Sequence, residues 1–385
     1  MTWCVQGAIT MESRNSANRR LILGALTALV VSACAAGSAE AQSQVDRANK
    51  GLVYVATGSV LGTDVRIAED LANVLDDGAT RRIVPMVGKG SLQNLMDLKV
   101  LRGIDVAIVQ ADVLDYAKAQ RNPPAIDSVP YIAKLYNEEF HLLARADVKS
   151  VDDLAGKKVN FGLQGDGTNF TGPRLFDLLK IKVTPVNYDQ ATALEKLRSG
   201  EISALAYVAG KPAPLFLEVR QQDRLHFLPI PLKPEIASAY IPARLTSDDY
   251  PAVVPPDGSV DTVAVGAVMV AANLTADSER ARNVASFVEA FFTQFPKLLE
   301  EGHHPKWNEV NLSADLPGWR RYGPADSWIK HNGGAPVAVN EQQMREIFAR
   351  FLDERTHSTG GQSLTAPQKG ELFDQFKKWQ EGKVP

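Results

Sequence analysis

The chain has 385 residues, 42 basic against 45 acidic side chains, a formal net charge of -3 and 45% hydrophobic residues. That length and apolar share fill one large or two medium cores and exclude wholesale disorder, and the near-even charge excludes a nucleic-acid binder working through a basic face. Both cysteines, Cys4 and Cys34, precede Ala35, so the rest of the chain holds neither a disulfide framework nor a cysteine-ligated metal site.

Residues 1–41 read as an export signal. Arg14, Arg19 and Arg20 precede an apolar core at Leu21–Val31, and Ala39-Glu40-Ala41 forms an A-x-A cleavage site before Gln42. Met11 is an alternative start. The core of about 11 residues is shorter than the roughly 20 a membrane span needs. Val31-Ser32-Ala33-Cys34 resembles a lipobox, which would make Cys34 a lipidated N-terminus, and Arg19-Arg20 loosely resembles a twin-arginine signal. Cleavage after Ala41 removes three basic and two acidic residues and leaves 39 basic against 43 acidic. The expected location is the periplasm, with no permanent membrane span.

Short apolar strands then alternate with amphipathic helices. Leu52–Ala56 predicts a strand, broken at Thr57-Gly58-Ser59, and Thr63–Leu75 has helical spacing through Val65, Ala68, Leu71 and Leu75. Arg82–Val87 predicts a second strand, and Ser91 the N-cap of a helix carrying Leu92, Leu95, Met96 and Leu98. Asp105–Val109 is apolar throughout, as in a strand covered by helices on both faces. The pattern resumes with a strand at Lys158–Gly162, a glycine-rich loop at Gln164–Asn169 and a helix opened by Pro173. A helix after Asp189, ended by Gly200, leads to a strand at Ile202–Val208. Glu139–Ala144 and Thr262–Ala271 are strand-like runs of the kind that cross between lobes. Ser278–Leu299 predicts an amphipathic helix whose Phe287, Phe291 and Phe292 belong to a core, and the polar tail holds two candidate helices, Glu341–Leu352 and Pro367–Gln380.

This order predicts an α/β chain of two lobes, each a mostly parallel sheet flanked by helices, with a ligand cleft between them. The expected boundaries are a leader at 1–41, the first part of lobe one at 42–145 and lobe two at 146–240. The return crossing and the rest of lobe one occupy 241–335, and a helical extension 336–385.

Catalytic constellations are hard to assemble. There is no G-x-S-x-G elbow, and none of the six histidines sits in an H-E-x-x-H or H-x-x-x-H pattern. Gly162–Gly167 (GLQGDG) has neither dinucleotide-binding spacing nor a following P-loop lysine. No metal or cofactor is expected. The glycine loops instead form strand-to-helix junctions, where unpaired backbone N–H groups attract anions and small residues let a ligand approach the backbone. Such loops gather beyond the carboxyl ends of strands, where open α/β sheets bind ligands. Thr57–Thr63, Gly88–Ser91, Gln110–Asp112, Gly165–Asn169 and Ala209–Lys211 together predict a shared cleft. Lys89, near a helix N-terminus, predicts an anionic solute, an organic acid or amino acid.

Several segments, in this order, carry a family resemblance. They are Val87–Leu95 (VGKGSLQNL), Val106–Val113 (VAIVQADV), Leu154–Thr168, Leu194–Pro214 and Ile241–Met269. Across residues 50–330 the chain resembles the TAXI family of solute receptors for TRAP transporters, which have the type II periplasmic-binding-protein fold. The resemblance implies capture of a small, often carboxylate-bearing solute and its delivery to TRAP-type membrane permease subunits. It passes binding roles to Thr57, Gly58, Ser59, Thr63, Lys89, Gly90, Ser91, Gln110, Asp112 and Tyr136 in lobe one, and to Gly167, Thr168, Asn169 and Tyr207 in lobe two. The first loop lacks the family's glycine pairs and following aromatic pair, and Lys89 stands where a small residue is usual. Two other readings stay open: an adaptor or sensor that docks a partner through the extension, and a periplasmic enzyme using Asp64, Asp112 and Asp166.

Overall fold

Two runs, Val106–Gln110 and Ala204–Ala209, are buried along their whole length, because helices cover both faces of the sheet they enter. A computed structural model describes residues 50–120 and 126–332, together with Thr365. The described residues from Val53 onward form one compact unit. The leader, Cys34 and the tail from Pro336 lie outside them apart from Thr365, so those expectations stay where the sequence leaves them. Among the described residues no helix is long and apolar enough to cross a membrane.

In the first lobe β1 (Leu52–Thr57), α1 (Thr63–Leu75), β2 (Arg82–Val87), α2 (Ser91–Val100), β3 (Val106–Gln110) and α3 (Ala111–Gln120) alternate. β4 (Tyr131–Arg145) then crosses into the second lobe, made of β5 (Lys158–Asn160), α4 (Gly167–Leu179), β6 (Thr184–Val186), α5 (Gln190–Ser199), β7 (Ala204–Ala209), β8 (Leu225–Phe227) and β9 (Ile241–Thr246). β10 (Ser259–Ala271) returns, and α6 (Glu279–Leu298) and α7 (Gly323–His331) pack on the first lobe. The strand order is β2-β1-β3-β10-β4-β7-β5-β6, with β8 on β4 and β9 on β10. Pairing is parallel away from the crossing, in β1–β3, β5–β6 and β5–β7. It is antiparallel where the two crossing strands meet each other and the lobes.

β4 and β10 therefore join both lobes into one sheet. Their register slips between Gly266 and Val268, where the strands leave one lobe for the other, and a bulge of this kind bends the strand that carries it. Each lobe has a core on both faces. Val53, Ile67, Leu71, Phe287 and Phe291 fill one side of the first, and Leu95, Val109, Leu114 and Trp319 the other. Phe140, Phe161 and Phe176, and on the far side Leu194, Leu197, Phe216 and Phe227, do the same for the second.

Four local expectations change. Gly90, with φ 116, is the N-cap of α2, and Ser91 is its first residue, whose hydroxyl accepts from the Gln110 backbone N–H at 2.6 Å. α4 starts at Gly167, six residues before Pro173, because the Asp166 side chain caps it by accepting from the Thr168 N–H. β4 starts at Tyr131, since Lys134, Asn137 and Glu138 interrupt its apolar pattern without ending the strand. Residues 241–254, grouped above with the return crossing, pack on the second lobe through Leu245, Tyr250, Val253 and Val254.

The crossing strands bury polar side chains that are partnered. His141 accepts from the Tyr250 hydroxyl at 2.7 Å, since that hydroxyl itself accepts from the Ala213 N–H, and its Nδ1–H faces the Glu139 and Tyr207 carbonyls. Burial holds the imidazole neutral, down at about 3. Lys306, in the turn Pro305–Glu309, donates to Glu139 at 2.6 Å and Glu309 at 2.7 Å. Burial alone would lower that ammonium, but the two carboxylates hold it above its ordinary value. Lys306→Met leaves Glu139 buried without its cation, and the expected loss of stability is about 3–5 kcal/mol at pH 8. Glu139 is already raised by burial to about 7, so it takes a proton in acid and the loss should shrink by pH 5.5. Urea unfolding at the two pH values checks this; an equal loss at both would assign Lys306 to packing alone.

Candidate functional site

The carboxyl ends of β1, β3 and β7 and the first turns of α1, α2 and α4 converge on one small cavity of about 30 Å³. That volume admits about one or two water molecules. The β1–α1 turn contributes Gly58, Ser59, Gly62, Thr63 and Asp64, and the residues opening α2 contribute Lys89, Gly90 and Ser91. Val109 and Gln110 end β3, Glu138 enters from β4, and Asp166, Gly167, Tyr207, Val208 and Ala209 close the wall from the second lobe.

The lobes touch across this cavity. Ser59 Oγ and Tyr207 Oη share a hydrogen bond at 3.2 Å, and Thr63 Oγ1 donates to the Gly210 carbonyl at 2.5 Å. The Gln93 N–H donates to the Gly165 carbonyl at 3.0 Å, and Thr171 Oγ1 to Asp112 Oδ2 at 2.7 Å. The Gly167 backbone lies directly against the Gln110 side chain: a Cβ on Gly167 would stand 2.3 Å from Gln110 Oε1. A cavity of this size is too small for a solute larger than a few atoms.

Of the residues singled out from the sequence, Gly58, Ser59, Thr63, Lys89, Gly90, Ser91, Gln110, Gly167 and Tyr207 line the cavity. The remaining five lie outside its wall. Thr57 is buried and donates to the Met86 carbonyl, tying β1 to β2. Thr168 accepts from the Val208 N–H, which fixes α4 on β7. Tyr136 stands behind the cavity and donates to Asp64 Oδ1 at 2.6 Å. Asp112 lies at the seam between α3 and α4, with Oδ1 buried and unpaired, and burial raises its carboxyl to about 6. Asn169 is half-buried on the first turn of α4.

The enzyme reading named Asp64 and Asp166 as cleft carboxyls; what the sequence did not single out is Glu138, which joins them on the wall. Asp64, Glu138 and Asp166 all face the cavity, and Glu138 is 5% exposed. Burial raises Asp64 against hydrogen bonds from Tyr136 and Glu138. Burial, and after it the charge of Asp64, holds Glu138 well above the usual carboxylate range. Asp166 is pushed up to about 7 by burial, with Asp64 adding to the shift and the Thr168 hydrogen bonds opposing it. The one basic side chain on the wall, Lys89, is exposed. The anionic solute expected from Lys89 thus has no buried cation to meet, and three carboxyls stand in its place. A signal was there: adjacent Glu138 and Glu139 in the middle of a buried strand, whose side chains must leave on opposite faces.

The family model described as NMT1-like matches residues 55–316. Among solved structures the chain is similar to one described as a periplasmic transporter, with 12% identity over 64% of this chain and 85% of that one and a TM-score of 0.44. It is similar to MatC from Rhodopseudomonas palustris with bound malate, at 17% identity, 62% and 84% coverage and a TM-score of 0.41. A third is the periplasmic aliphatic sulphonate binding protein SsuA from Escherichia coli, at 18% identity, 74% and 79% coverage and a TM-score of 0.36.

The cluster has a pH consequence. A carboxyl raised in the folded state stabilises it fully below the ordinary value and loses that contribution as pH rises through the raised one. Asp166→Asn keeps a capping side chain but removes the ionisable group. Its unfolding free energy, from urea unfolding, should match the parent's near pH 4 and exceed it increasingly up to pH 8, by on the order of 2 kcal/mol after allowance for partial exposure. His141 titrates in the opposite sense but is common to both proteins and cancels. A constant difference across pH would show that Asp166 is not desolvated.

Proposed function

The chain belongs to the NMT1-like family, and we propose that it is an extracytoplasmic receptor of the periplasmic-binding-protein kind that captures a small solute between its lobes and delivers it to a membrane transporter. The observation that carries this reading is the cavity itself. Both lobes build its wall, at the carboxyl ends of strands, and contacts between the lobes seal it. Two crossing strands with a bulge at the passage supply a hinge.

The segment order that resembles TAXI receptors supports a TRAP-type permease as the partner, and the signal-like pattern of residues 1–41 supports a periplasmic location. Capture without bond chemistry fits a wall in which Ser59, Thr63 and Ser91 hydroxyls have no histidine beside them.

Calorimetry of the purified chain against organic acids, amino acids, amines and sugars tests the reading. Binding of one solute class with compaction of the chain in solution scattering is the expected result; no binding by any class overturns it. Gly167→Ala separates closing from folding. The backbone there accepts a Cβ, but the Gln110 side chain occupies its place in the closed form. The variant should melt within about 1 kcal/mol of the parent and bind its solute at least tenfold more weakly, a loss of about 1.4 kcal/mol or more.

A further inference from the structure

We infer that the solute is an organic cation, whose ammonium or guanidinium group sits among Asp64, Glu138 and Asp166. This deepens the receptor reading above and rests on it. The three carboxyls come from both sides of the cleft, Asp64 and Glu138 from the first lobe and Asp166 from the second, so closing is what assembles them. One oxygen of each is anchored by a protein donor: Tyr136 Oη on Asp64, Gln110 Nε2 on Glu138 and the Thr168 N–H on Asp166. The group is thereby oriented, and no buried basic side chain on the wall neutralises it.

Tyr207 brings its hydroxyl to the same wall, bonded to Ser59 Oγ at 3.2 Å, and carboxylates beside hydroxyl oxygens are acceptors for the N–H groups of an ammonium or guanidinium. The seam continues outward through Thr171, whose hydroxyl donates to Asp112 Oδ2 at 2.7 Å, while the other Asp112 oxygen, Oδ1, is buried and unpaired. Among the described residues no group of three or more His, Cys, Asp or Glu side chains is placed to hold a metal ion. An organic cation, with N–H donors pointing several ways, suits carboxyls arranged around a cavity.

The groups facing the cation are Asp64 from α1, Glu138 from β4 with Tyr136 behind it, Asp166 from the cap of α4, Tyr207 from β7 and exposed Lys89 at the rim. In the closed form without a cation, burial favours protons on the carboxyls; Asp166 stays protonated up to about pH 7. A bound cation takes the place of those protons, so binding releases them and strengthens as pH rises.

The test is calorimetry of the purified chain with agmatine and putrescine, against succinate and glutarate, at pH 5.5 and 8. Agmatine or putrescine should bind, about tenfold or more tightly at pH 8, with proton release read from buffers of different ionisation enthalpy. Glu138→Gln and Asp166→Asn should each weaken that binding about tenfold or more while melting at or above the parent's temperature. A merely structural role would lower both. Binding of succinate or glutarate alone overturns the inference and leaves the receptor reading standing, as does binding only of a neutral solute from the wider panel. Cation binding indifferent to both substitutions places the cation elsewhere and also overturns it. Failure of every solute overturns the inference and the receptor reading together.

Discussion

The antiparallel pairing of β4 with β10 is the interaction on which the molecule depends. Among the described residues it is where the sheet order passes from one lobe to the other, between β3 and β7. Two lobes with separate cores can close on a solute only if the link between them bends without breaking its hydrogen-bond ladder. The slip at Gly266–Val268 provides such a bend, and Gly266 has open space where a Cβ would stand. The same strands must also carry polar side chains through a buried position, because the cleft lies directly above them. Alternation sends Glu138 into the cleft and Glu139 to the opposite side, where Lys306 meets it.

These two neighbours show how context decides what a buried carboxyl does. Glu139 is paired, hydrogen-bonded by the Lys211 N–H and held by an ammonium with a second acidic partner. It ties the turn Pro305–Glu309, and through Trp307 and Asp70 the first-lobe core, to the crossing strand. Glu138 has an amide and another carboxyl for company, an arrangement that costs stability unless protons or a cation are supplied. Desolvated, like-charged groups gathered in a cleft are what binding sites accumulate and what structural cores avoid.

Much of the fold was legible because local patterns and tertiary placement agree. Thr63–Leu75 and Arg82–Val87 have the bounds their periodicity predicts, and Ser278, Asp189 and Gly200 cap helices as such residues do elsewhere. The misreadings have one origin, which is that a side chain can serve two levels at once. Asp166 is an N-cap by local geometry and a cavity wall by tertiary geometry, and the glycine-rich loop around it hid the start of α4. Thr57 and Thr168 looked like ligand hydroxyls, yet backbone groups beside them use those hydroxyls first.

Charge was the hardest property to read, because its sign is visible in the sequence and its solvation is not. Lys89 and Glu138 are both single charges near loops or strand ends, but one side chain reaches water and the other is sealed by the second lobe. Only the sealed charge shapes the cavity's field, since screening removes most of the influence of the exposed one. The overall balance of 42 basic to 45 acidic residues is therefore silent about the cleft. A near-even overall charge thus accompanies an acidic cavity wall, and each lobe folds around its own apolar cores while Asp64, Glu138 and Asp166 meet where the lobes touch.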